Sequence, residues 1–520
     1  MSRPPELTSA LAQFQAYFGH QESDLHQQSF YELEKKVYGA HDSKLLRPDL
    51  GVEATLALLQ DDMFLSNSLN GTPQSASEFQ SLIEALVEQT VNVASPRFIG
   101  HMTSAMPYYV PSLMSLIARL NQNQVKLETS GGFSLLEKKV LSQVHQLIFM
   151  LDDAHYERYQ SQTSHSYGQF CSGGTLGNLT ALWAFRNTWS QDHGMDSLSK
   201  AKIYVSELGH YSIRKSINIL GFMPDQLEVL EAQAFQGGHQ LEQQIATDVE
   251  NGHLPFLVIG VAGSTETGSV DNLDFLADIV TTAQCYFHVD AAWGGAFCMS
   301  AQARPLLKGI ERADSVVIDA HKQLFVPIGC GLVLFRSAKM LKAIQFNANY
   351  ILREGSFDLG QSSIEGSRPA MSVVLFAHLQ RIGVYGFNLL LTSLLDLAKE
   401  FARLIEQSDD FELTSKPVLN ILTYRWRPLQ LQVLSQFCFC EKLNDLIILI
   451  QKKQRAQGLS FVSRTKLRLS SDGAQMSDVF RVVLANPLTK LEHCAQVLDE
   501  QRQLIQSDRE IQAIILAKFN

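Results

Sequence analysis

The chain is poor in the features that would place it outside a reducing aqueous compartment or on a nucleic acid. It has 7 cysteines in 520 residues, scattered and odd in number, which excludes a disulfide framework. Cys438 and Cys440 are the one close pair, and a Cys-Phe-Cys spacing inside an apolar run reads as core packing rather than a metal half-site. No run approaches the roughly 18 apolar residues of a membrane-spanning helix. The opening Met1-Ser2-Arg3-Pro4-Pro5-Glu6-Leu7 has no apolar core of the secretory type, so a cytoplasmic protein without a membrane partner is expected. Positive charge is in deficit, with Lys+Arg 43 against Asp+Glu 53 and a net charge of -10, which argues against nucleic acid or an anionic membrane as the main partner. Also missing are a Walker A loop, a Gly-x-Gly-x-x-Gly fingerprint, a Gly-x-Ser-x-Gly elbow and a His-Glu-x-x-His zinc motif. No internal repeat or low-complexity tract is present.

What is there is ordinary globular material, 45% hydrophobic and 18% charged, long enough for two or three domains. Residues 1–90 read as a helical N-terminal segment in which Leu56, Leu59 and Met63 share one helix face. The pattern breaks at Asn70-Gly71, and residues 70–77 are the clearest linker-like stretch. Residues 91–385 read as a large domain and 386–520 as a smaller α+β domain with a final helix near 488–506. Residues 346–368 are rich in Gly, Ser and charge with little periodicity, a long segment of the kind that usually carries function.

From about residue 165 short apolar runs alternate with helical patterns. Strand-like runs end at Ser172-Gly173-Gly174-Thr175, Ser206 to His210, Gly263-Ser264-Thr265, Asp290-Ala291-Ala292 and Asp319-Ala320-His321-Lys322. Such alternation implies an α/β fold with a mostly parallel central sheet covered on both faces. In such sheets the C-terminal strand ends share one edge, and ligands bind there. The glycine turn, His210, Thr265, Asp290 and Lys322 therefore fall on one edge.

Taken singly, each has an ordinary alternative. Lys322 could be a solvated lysine after a strand, Asp290 a helix cap, His210 a satisfied core histidine, and a glycine turn at a helix start is common. His101, in a loop-like stretch, fits a structural role as well as a substrate contact. Taken together, and with Lys322 following Asp290, they describe a pyridoxal 5'-phosphate site. Lys322 would hold the cofactor covalently, Asp290 would face the ring nitrogen, and His210 would lie over the ring. Gly173, Gly174 and Thr175 would bind the phosphate at the positive end of a helix, with His321 as a further donor.

Ser172-Gly173-Gly174-Thr175-Leu176-Gly177-Asn178, His210-Tyr211-Ser212, His288-Val289-Asp290-Ala291-Ala292-Trp293 and Asp319-Ala320-His321-Lys322 resemble the group II pyridoxal-dependent decarboxylases over roughly residues 90–500. Ser95 stands where that family usually has a histidine, and Asp319-Ala320 where it usually has Asn-Pro. The resemblance implies a fold-type-I homodimer with active sites at the subunit interface; Ala292 and Asp319, the latter at a position that departs from the family pattern, complete the expected cofactor-binding set. It makes Tyr350, in the 346–368 segment, the candidate proton donor. It places Arg368 near the substrate carboxylate, against the alternative of a structural ion pair. Residues 100–107, 121–129 and 350–355 look most like the branch that decarboxylates aspartate to β-alanine for pantothenate, which adds His101 and Asn123 as substrate contacts. Glutamate and 2,4-diaminobutyrate decarboxylation are the alternatives. Arg97, Lys126 and Arg353 are candidate partners for an acidic side chain. A same-fold aminotransferase and an inactive binding module are the competing classes.

Overall fold

The computed structural model describes residues 9, 11, 12, 15, 76–88, 90–161, 166–346, 358–427, 436–469 and 475–519. Most of the expected N-terminal helical segment, including Leu56, Leu59 and Met63, lies outside the described residues, as do Tyr350 and Arg353. The chain divides into two compact units, the larger built on Met106–Leu395 and the smaller on Phe18–Ala105 with Asp396–Asn520.

The larger unit is organised on a sheet of seven strands: β1 (Gly168–Cys171), β2 (Ala201–Ser206), β3 (Leu227–Leu230), β4 (Leu254–Val261), β5 (Tyr286–Asp290), β6 (Ser315–Ile318) and β7 (Gly331–Phe335). Their order is β1-β7-β6-β5-β4-β2-β3. The run β6-β5-β4-β2-β3 is parallel throughout. β7 runs antiparallel to both of its neighbours, so β1 again points the way of β6. The sheet is mostly parallel, as the alternation predicts. The inner strands are short continuous apolar runs because both faces are covered. Phe256, Leu257, Val258 and Ile259 of β4 are all fully buried, each such side chain contributing about 1.5–3 kcal/mol relative to exposure.

The helices that matter to the site are α1 (Gly132–Phe149), α2 (Gly174–His193), α3 (Tyr211–Ile219), α4 (Leu273–Ala283), α5 (Ser372–Arg381) and α6 (Gly383–Glu406). α2 packs Ala181, Leu182, Phe185 and Trp189 into one apolar cluster with Ile203, Phe256, Val317 and Phe335 of the sheet. α4 starts where the Asn272 side chain accepts the Phe275 N–H at 3.2 Å and ends at Gln284 with φ 53°, a left-handed stop. β3 escapes sequence reading because it is four residues long and only half-buried, a short edge strand with no clear alternation.

The smaller unit carries an antiparallel sheet of β8 (Phe411–Ser415), β9 (Ile421–Trp426), β10 (Ser463–Arg468) and β11 (Met476–Val483), in the order β10-β11-β9-β8. With it go α7 (Gln436–Gln457), α8 (Leu491–Ser507) and α9 (Arg509–Phe519). Its core gathers Phe401, Phe411, Leu422, Tyr424, Leu446, Ile450, Phe480 and Val497. Residues 94–100 belong to this unit: Val483 donates to the Ile99 carbonyl at 2.7 Å, and Phe98 stacks on Phe461 with ring centroids 4.9 Å apart.

Among the described residues no single helix is long and apolar enough to cross a membrane. α5 and α6 reach that length only as a pair bent by 88°, and Val374, Leu375, Phe387, Leu390 and Leu391 of that pair are buried inside the protein.

Asp271 stands out in the larger unit. It is 2% exposed, one carboxylate oxygen accepts the Val261 N–H at 2.8 Å, and the other has no hydrogen-bond partner among the described residues. Burial pushes its carboxyl up from an ordinary 3.8 to about 7. The native state therefore binds this proton more tightly than the unfolded chain, so stability falls as pH rises from 3.8 to about 7 and levels above that. Asp271→Asn removes this slope. Chemical denaturation across that window should show the variant gaining on the wild type as pH rises, with a constant difference above it; parallel curves would refute the assignment.

Candidate active site

β5 and β6 are parallel neighbours with Asp290 in register with Val317. Both strands therefore deliver their following residues to the same edge of the sheet. Asp290 is the last residue of β5 and is 7% exposed. A carboxylate in that position needs donors for its lone pairs. Asn178 of α2 supplies one, Nδ2 to Asp290 Oδ2 at 2.9 Å. The Ala292 N–H supplies another, to Oδ1 at 3.2 Å. The Ala292 carbonyl in turn accepts the Asp319 N–H at 3.1 Å, so the two strand ends are tied together.

Beyond β6, the residue type that departs from the family pattern proves to be an ion-pair partner. Asp319, 4% exposed, places Oδ2 2.9 Å from Lys322 Nζ, and the Lys322 side chain keeps 20% of its surface exposed. His321 Nε2 lies 3.7 Å from the same oxygen, while its Nδ1 is 2.8 Å from the Cys330 carbonyl. The second Asp319 oxygen, Oδ1, is buried without a hydrogen-bond partner among the described residues. The glycine turn closes over this group. A Cβ on Gly174 would lie 3.0 Å from Asp319 Oδ2 and 3.2 Å from the Ala292 methyl, so a side chain there would displace the carboxylate. α2 begins at Gly174 with no side-chain cap, which leaves its first N–H groups free of intrahelical acceptors.

His210 follows β2 and caps α3: its Nδ1 accepts the Ser212 N–H at 3.3 Å and meets the Ser212 hydroxyl at 2.7 Å. An Nδ1 that accepts from a backbone N–H carries no proton, so the neutral ring carries it on Nε2. Burial lowers the His210 pKa, against the raising pull of Asp290 and together with the lowering pull of Lys322. Thr265 lies in the loop after β4. That loop is closed by Gly268 N–H to the Ser264 carbonyl at 2.9 Å and turns at Gly263, φ +96°, where a Cβ would lie 2.9 Å from the Trp293 ring.

The substrate candidates are less tightly gathered. Asn123 and Arg368 come together: Asn123 Nδ2 donates to Ser367 Oγ at 2.8 Å, and its Oδ1 accepts the Arg368 N–H at 3.2 Å. The Arg368 guanidinium is committed to Glu137 of α1, with Nη1 to Oε2 at 2.8 Å and Nη2 to Oε1 at 2.6 Å. Both side chains are buried, at 7% and 0% exposure. The ion pair that is one of the two readings of Arg368 is present. Lys126 is likewise paired, with Glu128 at 2.7 Å. His101 is exposed, with Nδ1 3.3 Å from Thr103 Oγ1, and belongs with Arg97 to the smaller unit. Asn178 and His288 were quoted in the sequence motifs without a role. The signal that could have found them is spacing, since Asn178 lies one helical turn past Gly174 and His288 two strand residues before Asp290.

A mostly parallel sheet with a lysine, a buried carboxylate, a histidine and a helix-opening glycine turn at one edge defines a fold-type-I pyridoxal-phosphate enzyme. Residues 65–427 match the family described as the pyridoxal-dependent decarboxylase conserved domain. The chain belongs to that family: it is a pyridoxal-phosphate-dependent amino acid decarboxylase. It is 42% identical over 482 residues to an aspartate 1-decarboxylase of Aliivibrio fischeri, covering 88% of each chain. It is 29% identical over 349 residues to an L-2,4-diaminobutyrate decarboxylase of Rhizobium meliloti, covering 65% of this chain and 67% of that one. The crystal structure of mouse CSAD shares the fold with a TM-score of 0.80 at 23% identity, covering 97% of this chain and all of that one.

The residues present fit the cofactor. The glycine turn keeps side chains away from a helix N-terminus suited to a phosphate, and Asp290 is a buried acceptor suited to a protonated ring nitrogen. Lys322 is a partly exposed amine at the same edge, its side chain held by the Asp319 carboxylate.

Removing Glu137 would strand the Arg368 charge in the interior. Glu137→Gln should therefore lower the unfolding free energy by about 3 kcal/mol, the low end for a broken buried pair, as measured by denaturant titration. A change below about 1 kcal/mol, the scale of an exposed pair, would show that Arg368 does not depend on Glu137.

Proposed function

We propose that the enzyme decarboxylates L-aspartate at Cα, giving β-alanine and CO2. The observation that carries this reading is the similarity to an aspartate 1-decarboxylase at 42% identity across 88% of both chains. Glutamate and L-2,4-diaminobutyrate are the alternative substrates, the second favoured by the 29% identical relative.

The site residues take the following roles in this proposal. Lys322 would hold the cofactor covalently through Nζ, with its side chain oriented by Asp319 Oδ2, 2.9 Å away. The N–H groups of the Gly173-Gly174-Thr175 turn hold the phosphate, with Thr265, Ala292 and His321 completing the cofactor's surroundings. Asp290 holds a proton at the ring nitrogen. When bound, the cofactor supplies an electron sink for the pair left at Cα as CO2 departs. His210, neutral with its proton on Nε2, offers a flat uncharged face to the ring and a donor to the substrate side. Orientation of the substrate decides which bond at Cα breaks, and Asn123 and Arg368 are proposed to contact it. Tyr350, outside the described residues, is proposed to return a proton to Cα, and His101 to contact substrate. We further propose a cytoplasmic homodimer with sites at the subunit interface, and retain the division 1–90, 91–385 and 386–520 as a proposal about domains.

Two measurements test this. Lys322→Ala should lose the visible chromophore and the borohydride-fixed cofactor adduct, with activity down on the order of a thousandfold or more. In an amino acid panel assayed for CO2, aspartate should exceed glutamate and 2,4-diaminobutyrate in kcat/KM by about tenfold, a difference worth about 1.4 kcal/mol of transition-state binding. Preference for either rival replaces the substrate assignment, and keto-acid-dependent product without CO2 replaces decarboxylation with transamination.

A further inference from the structure

Four buried side chains behind Asp290 form one hydrogen-bonded chain. Asn178 is 1% exposed, and His288, Ser315 and Ser212 are each 0% exposed. Asn178 Nδ2 donates to Asp290 Oδ2 at 2.9 Å and to Ser212 Oγ at 3.0 Å. Asn178 Oδ1 meets His288 Nε2 at 3.0 Å, and His288 Nδ1 meets Ser315 Oγ at 2.6 Å.

The placement follows from local geometry. Asn178 is one helical turn past Gly174, on the α2 face that carries the glycine turn. His288 and Asp290 are i and i+2 on β5, so both side chains emerge on the same face of the sheet. Ser315 is the register partner of His288 across the parallel β5–β6 pair.

The chain has one polarity. The Asp290 carboxylate only accepts, so Asn178 must present its amide NH2 to it, and its oxygen must then face His288. That oxygen accepts only, so His288 carries a proton on Nε2. Burial pushes the His288 pKa down from its ordinary 6.5, so the ring is neutral, its Nδ1 bears a lone pair, and the Ser315 hydroxyl donates to it. Both donors of the Asn178 amide are thereby used and its rotation is blocked.

We infer that Asn178 is a positioning residue for Asp290, held in its orientation by His288 and, through it, by Ser315. The inference rests on the proposed role of Asp290 toward the cofactor ring nitrogen and adds what fixes that carboxylate. With Oδ2 held by Asn178 and Oδ1 by the Ala292 N–H, the plane of the carboxylate is set before the cofactor arrives. A purely structural polar cluster would need the same satisfied hydrogen bonds but would leave the cofactor and the reaction unaffected when trimmed.

The test compares full-length wild type, Asn178→Ala, Asn178→Ser and Ser315→Ala, each loaded with pyridoxal phosphate. Readouts are the cofactor dissociation constant, the position of the bound visible band, kcat and KM for the preferred amino acid, and Tm. Asn178→Ala should raise the cofactor dissociation constant by about tenfold or more, the loss expected for a hydrogen bond to a charged group. It should also shift the visible band and lower kcat by about tenfold, with KM within about twofold, because Asn178 acts through Asp290 rather than on substrate. Asn178→Ser, which keeps a hydroxyl donor, should recover part of the loss. Ser315→Ala should move the same readouts in the same direction by about threefold, as the far link of a cooperative chain. A lowered Tm with unchanged dissociation constant, band and kcat in Asn178→Ala overturns the inference. Where Asn178→Ala does not accumulate as folded protein, Ser315→Ala decides in the same way. Wild type that takes up no cofactor defeats the reading of the site itself, whereas wild type that does so beside indistinguishable variants defeats only this inference.

Discussion

A carboxylate buried at the end of a parallel strand is costly unless each of its oxygens finds a donor, and the larger unit is built around meeting that demand at Asp290. The amide of Asn178 reaches it because α2 begins at Gly174, one turn earlier, and packs across β5 and β6. The Ala292 N–H reaches it because the chain turns at once after the strand. His288 and Ser315 are spent on orienting the amide rather than on the carboxylate. The result is an acceptor whose direction is set by the sheet.

A second carboxylate on the same edge meets its demand differently. Asp319 sits under the glycine turn with one oxygen paired to Lys322 at 2.9 Å and the other buried without a hydrogen-bond partner among the described residues. Asp290 is held by neutral donors and so keeps its capacity to pair with a cation, whereas Asp319 is already paired with one. Two acids within one sheet edge thus acquire different tasks through their neighbours alone. The Glu137–Arg368 pair is a third case, in which a buried charge ties the 367–368 turn to α1. The guanidinium has two close carboxylate contacts at 7% exposure, and the pattern around Arg368 does not reveal them because Glu137 lies 231 residues away in the chain.

Much of the larger unit was legible because its strands are buried on both faces and therefore read as compact apolar runs. Those ending at Cys171, Ser206, Val261, Asp290 and Ile318 were all visible, and so was the mostly parallel sheet. The strands that were missed, Leu227–Leu230, Phe411–Ser415 and Ser463–Arg468, are short or partly exposed, and their residues give no clean alternation. Each is a strand because a neighbour supplies a hydrogen-bonding edge. The final helix was expected near 488–506, and Leu491–Ser507 is there, but a further helix, Arg509–Phe519, follows it. That second helix packs Ile511 into the smaller core, a contact that local pattern does not specify.

By itself the sequence determined the family and the sheet edge on which Asp290 and Lys322 collect, because these depend on strand ends and short motifs a few residues long. Tertiary structure alone decided the distant partners: Asn178 for Asp290 and Glu137 for Arg368. Hydrogen bonds and ion pairs are distance-limited to a few ångströms, and separations of 112 and 231 residues are closed only when helices pack on the sheet.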